Sequence, residues 1–252
     1  MTSRIELGLF VTEVELSASR KSAAATTYAG HGSVRIQGNF LARAERGALD
    51  ELCLRVPDWL TPDHLTALGL GGAIVTAGGY IASNWHPRFL FVACSGLVLN
   101  WFGDSLDGSL ARQRGIERPF YGYFVDHSVD ALSMVVIMLG LGFSPYVNMG
   151  AALFALTGYM LISIHVFIKN HVTGLMQLSF LYFGPTEARI GLILGTCSAY
   201  FIGQKAVRIL NLQFQSCSLI AASFGAIFLI IFVVDTIKTA RLLRTTEVNR
   251  RG

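Results

Sequence analysis

The chain has 252 residues, of which 52% are apolar and only 14% charged, and its mean hydropathy is +0.51. Soluble domains carry about 25% charged residues, so the composition excludes an ordinary water-soluble globule and points to an integral membrane protein. A net charge of +4 would suit a nucleic-acid partner, but the placement of that charge along the chain argues against one.

Residues 1–40 are polar and mixed, with no apolar core of signal-peptide type. Within them "RIELGLFVTEVEL" alternates weakly, as a strand does, and "RKSAAATTYAGHGS" reads as loop. This extension has no assigned role. The expected organisation is the extension 1–40, a membrane domain over 41–240 and a basic tail over 241–252. At the start of the membrane domain, Ala44, Ala48, Leu49, Leu52 and Val56 recur at helical spacing among Arg43, Arg46, Asp50 and Glu51. The pattern predicts an amphipathic helix over about 41–58 lying in the membrane interface.

"TPDHLT" then opens a helix, with Thr61 as N-cap and Pro62 in the first position. Six apolar segments follow, near 65–83, 88–111, 120–142, 147–168, 186–204 and 216–237, each matched to a hydrocarbon layer of about 30 Å. The predicted fold class is all-α: an integral membrane bundle of six transmembrane helices preceded by the interfacial helix. "HP", "SPYVN" and "NLQFQS" fit short turns between spans. Gly71, Gly72, Gly78, Gly79 and the Gly140/Gly142 pair suit close helix packing. The four cysteines stand in no metal or redox spacing and read as small apolar residues.

Six spans put both termini on one side. That side carries 17 of the 20 Lys and Arg residues; only Arg88, Lys205 and Arg208 fall on the other. Positive loops stay in the cytoplasm, so both termini and the 112–118 loop are expected there.

Acidic residues are scarce between 65 and 235, yet five of the seven fall between Gly103 and Asp130, four of them aspartates. A carboxylate in a bilayer-embedded segment is functional by default. Asp104 and Asp107 are spaced i,i+3 and Asp126 and Asp130 i,i+4, so each pair shares a helix face. "RQRGIERP" between them suits a turn, so two antiparallel helices would present their carboxylates to each other. Like charges at close range in a low dielectric repel; either some are protonated or cations lie among them. All-oxygen ligands favour hard divalent ions. Pairing of these acids with Arg112, Arg114 and Arg118 is the plainer alternative. Gly108 and Ala111 lie on the Asp104/Asp107 face and Gly122 lies one turn before Asp126, which leaves room for a bulky ligand. Arg112 is placed to donate to a diphosphate.

At these positions the sequence resembles the CDP-alcohol phosphotransferase family, whose signature is D-x-x-D-G-x-x-A-R-x₈-G-x-x-x-D-x-x-x-D. Asp104, Asp107, Gly108, Ala111, Arg112, Gly122, Asp126 and Asp130 all fit; the one departure is nine residues, not eight, between Arg112 and Gly122. The resemblance implies transfer of a phosphoryl-alcohol unit from a CDP-alcohol to an acceptor alcohol with release of CMP. It implies two divalent cations, Mg²⁺ or Mn²⁺, on Asp104, Asp107, Asp126 and Asp130, with Asp130 also the general base. Gly108, Ala111, Arg112 and Gly122 would hold the CDP portion. It further implies a bilayer setting, an active site facing the cytoplasm and a homodimer. "HVTGLMQLSFLYFGPTEAR" and "DHSVD" resemble the choline/ethanolamine branch, in which the donor is CDP-choline or CDP-ethanolamine; the other donor class is CDP-diacylglycerol. For the acceptor, the candidates are His165, Lys169, His171, Glu187 and Arg189, which flank the fourth and fifth spans. Asp235 is expected near the interface with Lys238. An intramembrane prenyltransferase, which would not require Gly108, Ala111 and Arg112, and a divalent-cation transporter, which would spread its acids through the membrane depth, are the competing readings.

Overall fold

The structure, a computed structural model, describes residues 26–27, 34–36, 42–173, 175–177, 185–209 and 212–251. Seven helices run through them: α1 (Ala42–Cys53), α2 (Pro62–Ala82), α3 (Phe89–Gln113), α4 (Pro119–Gly142), α5 (Met149–Thr173), α6 (Pro185–Ile202) and α7 (Ser216–Arg251). The bundle is helical, as its apolar composition requires of a chain whose backbone must satisfy itself in lipid.

Five helices, α2, α3, α4, α5 and α7, are long and apolar enough to cross a membrane. The fifth expected span, 186–204, is the shorter apolar helix Ala188–Ile202, about 22 Å at 1.5 Å per residue. By contrast α7 has 36 residues, or about 54 Å, so the helix continues past the expected span 216–237 and through most of the expected tail.

Short strands, which the sequence pattern did not announce, lie outside the bundle. Ala206–Ile209 pairs antiparallel with Leu212–Gln215, where "NLQFQS" was expected to be a turn. The alternation Val207, Ile209, Leu212, Phe214 against Arg208, Gln213 and Gln215 is the period-2 signal that favours a ribbon. Thr26–Thr27 pairs with Val34–Ile36, and the latter pairs in parallel with Leu175–Gln177 just after α5. Part of the stretch expected to be loop is therefore paired. The strand-like residues 4–16 lie outside the described residues.

Helix starts follow local chemistry. Thr61 accepts the His64 amide at 3.4 Å, and the Thr61 amide donates to His64 Nδ1 at 3.2 Å, closing a reciprocal cap. Proline stands first in α2, α4 and α6, where its missing N–H is no loss. Between α3 and α4, Gly115 adopts φ +65°, a left-handed conformation that glycine enters at no steric cost.

The tightest packing joins α2 to α3. Gly72 and Gly79 on α2, and Gly96 and Gly103 on α3, are each seven residues apart and face one another. A Cβ on Gly72 would collide with the Asn100 amide, one on Gly103 with the Gly69 amide, and one on Gly79 would come within 2.5 Å of the Ala93 amide. Gly71 and Gly78 meet nothing: neighbours on a helix point about 100° apart, so only one glycine of each expected pair serves the contact. Gly140 packs on Ala77 and Gly142 on Met149. Leu49 and Cys53 of α1 are buried with Leu65, Leu106 and Leu110, so the apolar side of α1 meets protein. Burial, and secondarily the Asp50 charge, pushes the Cys53 thiol above its ordinary pKa. Large outward side chains such as Trp85, Phe143, Leu194, Phe201 and Ile230 are exposed, as suits helices surrounded by lipid.

Candidate active site

The end of the bundle where α3 stops and α2, α4 and α6 start collects the four aspartates. Helix N-termini carry partial positive charge, and three of them meet here. The glycine contact between α2 and α3 brings α2 backbone beside Asp104: a Cβ on Gly69 would lie 3.4 Å from the Asp104 amide. Asn100, one turn before Asp104, donates to the Gly69 carbonyl at 2.9 Å. Thr66, also on α2, donates to Asp107 Oδ2 at 2.5 Å, while the Gly108 amide reaches Asp107 Oδ1 at 2.5 Å. Asp107 is only 7% exposed.

Arg189 of α6 joins the two motif helices. Its Nη1 meets Asp104 Oδ2 at 2.7 Å, its Nη2 meets Asp130 Oδ1 at 2.7 Å, and its Nε donates to Asn100 Oδ1 at 2.8 Å. The residue is 4% exposed, so all three bonds form away from water and are correspondingly strong. Tyr159 of α5 donates to the other oxygen of Asp130, Oδ2, at 3.2 Å. Asp104 lies within electrostatic range of Asp107, Asp126 and Asp130, and Asp107 within range of Asp126. Asp126 Oδ2 is 3.2 Å from His127 Nδ1; the imidazole packs on Tyr123 and Phe167, and its Nε2 is buried with no hydrogen-bond partner among the described residues.

The arginines of the α3–α4 turn hold other groups. Arg112 is exposed, donates to Ser109 Oγ at 3.2 Å and lies over Gly108, whose Cβ would meet Arg112 Nη1 at 3.3 Å. Arg114 donates to the carbonyls of Val56, Pro57 and Leu60. Arg118 pairs with Asp63 and stacks 4.3 Å from the centre of the Tyr121 ring; the Asp63 hydrogen bond raises its guanidinium pKa further. The expected alternative, that these three arginines pair with the motif aspartates, gives way to Arg189. They sit in or beside the turn, where backbone carbonyls and Asp63 are nearer than the inward faces of α3 and α4. Ala111 is half-buried, and a Cβ on Gly122 would meet nothing within 4 Å, so space is open beside the cluster.

The acceptor-site candidates divide. Arg189 is inside the carboxylate cluster. His165 Nε2 and Lys169 Nζ both meet Asp235 Oδ2, at 2.7 and 2.9 Å, so Asp235 lies on the side of α7 that is packed against α5. His171 is exposed. The Glu187 side chain lies outside the described residues. Asn100, Thr66 and Tyr159 were missed in the sequence; the available signal was a polar side chain within an apolar span.

As metal ligands, the four carboxylates supply a hard, all-oxygen donor set whose negative charge exceeds that of the one guanidinium among them. That chemistry fits divalent cations. Among the described residues no three acidic, histidine or cysteine groups converge as a closed ligand cage; the guanidinium of Arg189 bridges two of the carboxylates.

These features define a polytopic membrane protein with an acidic site at one end of its bundle. The model of the CDP-alcohol phosphatidyltransferase family matches residues 59–237, and the chain belongs to that family. Among curated proteins it is 37% identical over 90 residues to Inner membrane protein YnjF of Escherichia coli, covering 35% of this chain and 40% of that one. It is 32% identical over 91 residues to Cholinephosphotransferase 1 of Homo sapiens (34% of this chain, 22% of that one). It is 28% identical over 104 residues to Archaetidylinositol phosphate synthase of Methanothermobacter thermautotrophicus (41% of this chain, 50% of that one). The matches thus span half or less of each relative.

Proposed function

We propose that the protein is a membrane transferase of phospholipid biosynthesis that moves a phosphoryl-alcohol unit from a CDP-alcohol to an acceptor alcohol and releases CMP. The collection of Asp104, Asp107, Asp126 and Asp130 at one end of the bundle, with Arg189 bridging Asp104 and Asp130, carries this reading, within the segment that matches the family.

Asp104, Asp107, Asp126 and Asp130 would hold two divalent cations, Mg²⁺ or Mn²⁺, which when bound supply positive charge against the donor diphosphate. Gly108, Ala111, Arg112 and Gly122 bind the CDP portion: the open space at Gly122 admits it, and the exposed Arg112 fork donates to phosphate. Asp130 accepts the proton of the acceptor hydroxyl. The oxygen attacks the phosphorus bearing the donor alcohol, the bond from that phosphorus to the bridging oxygen breaks, and CMP leaves with the electron pair. Arg189 and Tyr159 hold the two oxygens of Asp130 in place beforehand. Of the acceptor-site candidates, Arg189 belongs to the carboxylate cluster and His165 and Lys169 to the ion pair with Asp235, which leaves His171 and Glu187 to flank the acceptor side.

In this reading α6 completes six spans, α1 lies along the membrane interface, both termini and the active site face the cytoplasm, and two copies form a homodimer. Residues 1–40 are an extension to the 41–240 membrane domain, and 241–252 are its basic end.

The test is CMP release by purified protein in lipid nanodiscs, with CDP-diacylglycerol, CDP-ethanolamine or CDP-choline offered against polar and lipid alcohols. At least one pair is expected to release CMP, to stop with EDTA and to resume with Mg²⁺ or Mn²⁺. Release unaffected by chelation would remove the cations, and no release from any pair would remove the transferase reading.

A further inference from the structure

Three contacts fix how α6 lies on α3. Near the acidic end, Arg189 Nη1 meets Asp104 Oδ2 at 2.7 Å and Arg189 Nε donates to Asn100 Oδ1 at 2.8 Å. Toward the other end, the rings of Phe91 and Tyr200 have their centres 4.9 Å apart. A step back along α3 is matched by a step forward along α6, so the two helices run antiparallel. Cys94 follows Phe91 by about one turn, and Cys197 precedes Tyr200 by about one turn. The register therefore sets these two cysteines opposite each other, although they stand far apart in the sequence. Their thiols are neighbours, and both lie within electrostatic range of the Tyr80 hydroxyl.

The pair differs from the other two cysteines. Cys53 and Cys217 are buried, whereas Cys94 and Cys197 are half-buried. Phe91, Leu194 and Phe201 near them are exposed, so this part of the α3–α6 seam opens toward lipid. Cys94 lies five residues past Phe89, where α3 starts, and Cys197 five before Ile202, where α6 ends. Both are thus about 8 Å of helix from the end of the bundle opposite the aspartates. Neither thiol enters the transfer reaction.

We propose that Cys94 and Cys197 are a redox pair that closes into an intramolecular disulfide and staples α6 onto α3. The two thiols give up two protons and two electrons and a sulfur–sulfur bond forms. A lipid-soluble quinone, able to reach the seam from the bilayer, takes up both protons and both electrons and becomes the quinol. A dithiol reverses the closure by exchange. The staple secures the helix that carries Arg189 to Asp104 and Asp130, from a point about 12 Å along α6 from Arg189. In the orientation proposed for the bundle, this end faces away from the cytoplasm, on the side where disulfides persist. Closure of the pair does not depend on the transferase reading.

The test uses the wild-type chain in lipid nanodiscs, treated with a short-chain quinone and then with dithiothreitol. After the quinone, the denatured protein should show two maleimide-reactive thiols where the untreated chain has 4 cysteines, and the two that react should be Cys53 and Cys217. Mass spectrometry should find an α3 peptide joined to an α6 peptide within one chain, and dithiothreitol should release it. The oxidised form should melt at least about 4 °C higher, since a disulfide closing a long loop restricts the unfolded chain. Cys94→Ser and Cys197→Ser should each lack both the cross-link and the shift. Four reactive thiols after the quinone would overturn the pair, as would disulfides formed only between copies or with Cys53 or Cys217. An unchanged melting temperature in the cross-linked protein would overturn the staple.

Discussion

Two clusters of charge lie inside this bundle, and they are built differently. Between α5 and α7, one carboxylate, Asp235, is met by Lys169 and His165. At the shared end of α3, α4 and α6, the guanidinium of Arg189 pairs with two carboxylates, Asp104 and Asp130, and Asp107 and Asp126 lie within electrostatic range of Asp104. A buried carboxylate with cations on two sides is satisfied and links two helices. A cluster with surplus negative charge and open space beside Gly122 has the charge and the room for a cation that the proposed function calls for. On that reading it is the imbalance of charge, and not its burial alone, that separates the two clusters.

The sharpest way to break this comparison is to neutralise one carboxylate from each cluster. Asp130→Asn should lower CMP release by about 10²–10⁴-fold, the range for a lost general base, whereas Asp235→Asn should leave kcat within about threefold, since Asp235 touches no reacting group. Steady-state CMP release in nanodiscs measures both. Equal losses would mean that the second cluster also takes part in the chemistry.

Arg189 tests the same contrast through stability. Removing one partner from a buried ion cluster leaves the other charges unpaired, at a cost of about 3–5 kcal/mol. Arg189→Met should therefore destabilise strongly in thermal unfolding with detergent-solubilised protein, and Asp104→Asn in the same chain should recover part of the loss. If Arg189→Met melts like wild type, the guanidinium is not the counter-charge of the cluster. Asp235→Asn should cost less, about 1–3 kcal/mol, because its partners lose one acceptor and Lys169 carries its charge on a long stem that can reach water.

How far the sequence showed this arrangement depends on what each residue answers to. The motif spacing placed the four aspartates on two facing helices, and the polar break placed the turn at Gly115, because helical periodicity and chain reversal are local properties. Thr61 and Pro62 opened α2 for the same reason. Arg189 is different: its position next to Asp104 and Asp130 depends on how α6 leans on α3, 85 and 59 residues away along the chain. The partner of Asp235, drawn from α5 and not from its own helix, is long-range in the same sense. The ribbon Ala206–Ile209/Leu212–Gln215 was missed because a short alternating run beside apolar spans looks like a linker until its partner is known.

The smallest expected effect concerns a cation at the acidic end that touches none of the motif carboxylates. Arg114 donates to the carbonyls of Val56 and Pro57 at 3.0 Å each and of Leu60 at 2.6 Å, closing the α1–α2 connection onto the end of α3. Guanidinium presents these donors in a fixed planar fork, and an ammonium cannot reproduce it. Arg114→Lys should therefore lose about 1 kcal/mol of stability, the net worth of a typical hydrogen bond, with kcat within about twofold of wild type. The difference from Arg189 follows from the partners: carbonyls of a connecting segment near water are resolvated when the fork is lost, whereas Asp104 and Asp130 are not. Were Arg114→Lys to reduce CMP release as severely as Asp130→Asn, the clamp on the α1–α2 connection would have to be counted as part of the machinery that positions Thr66 and, through it, Asp107.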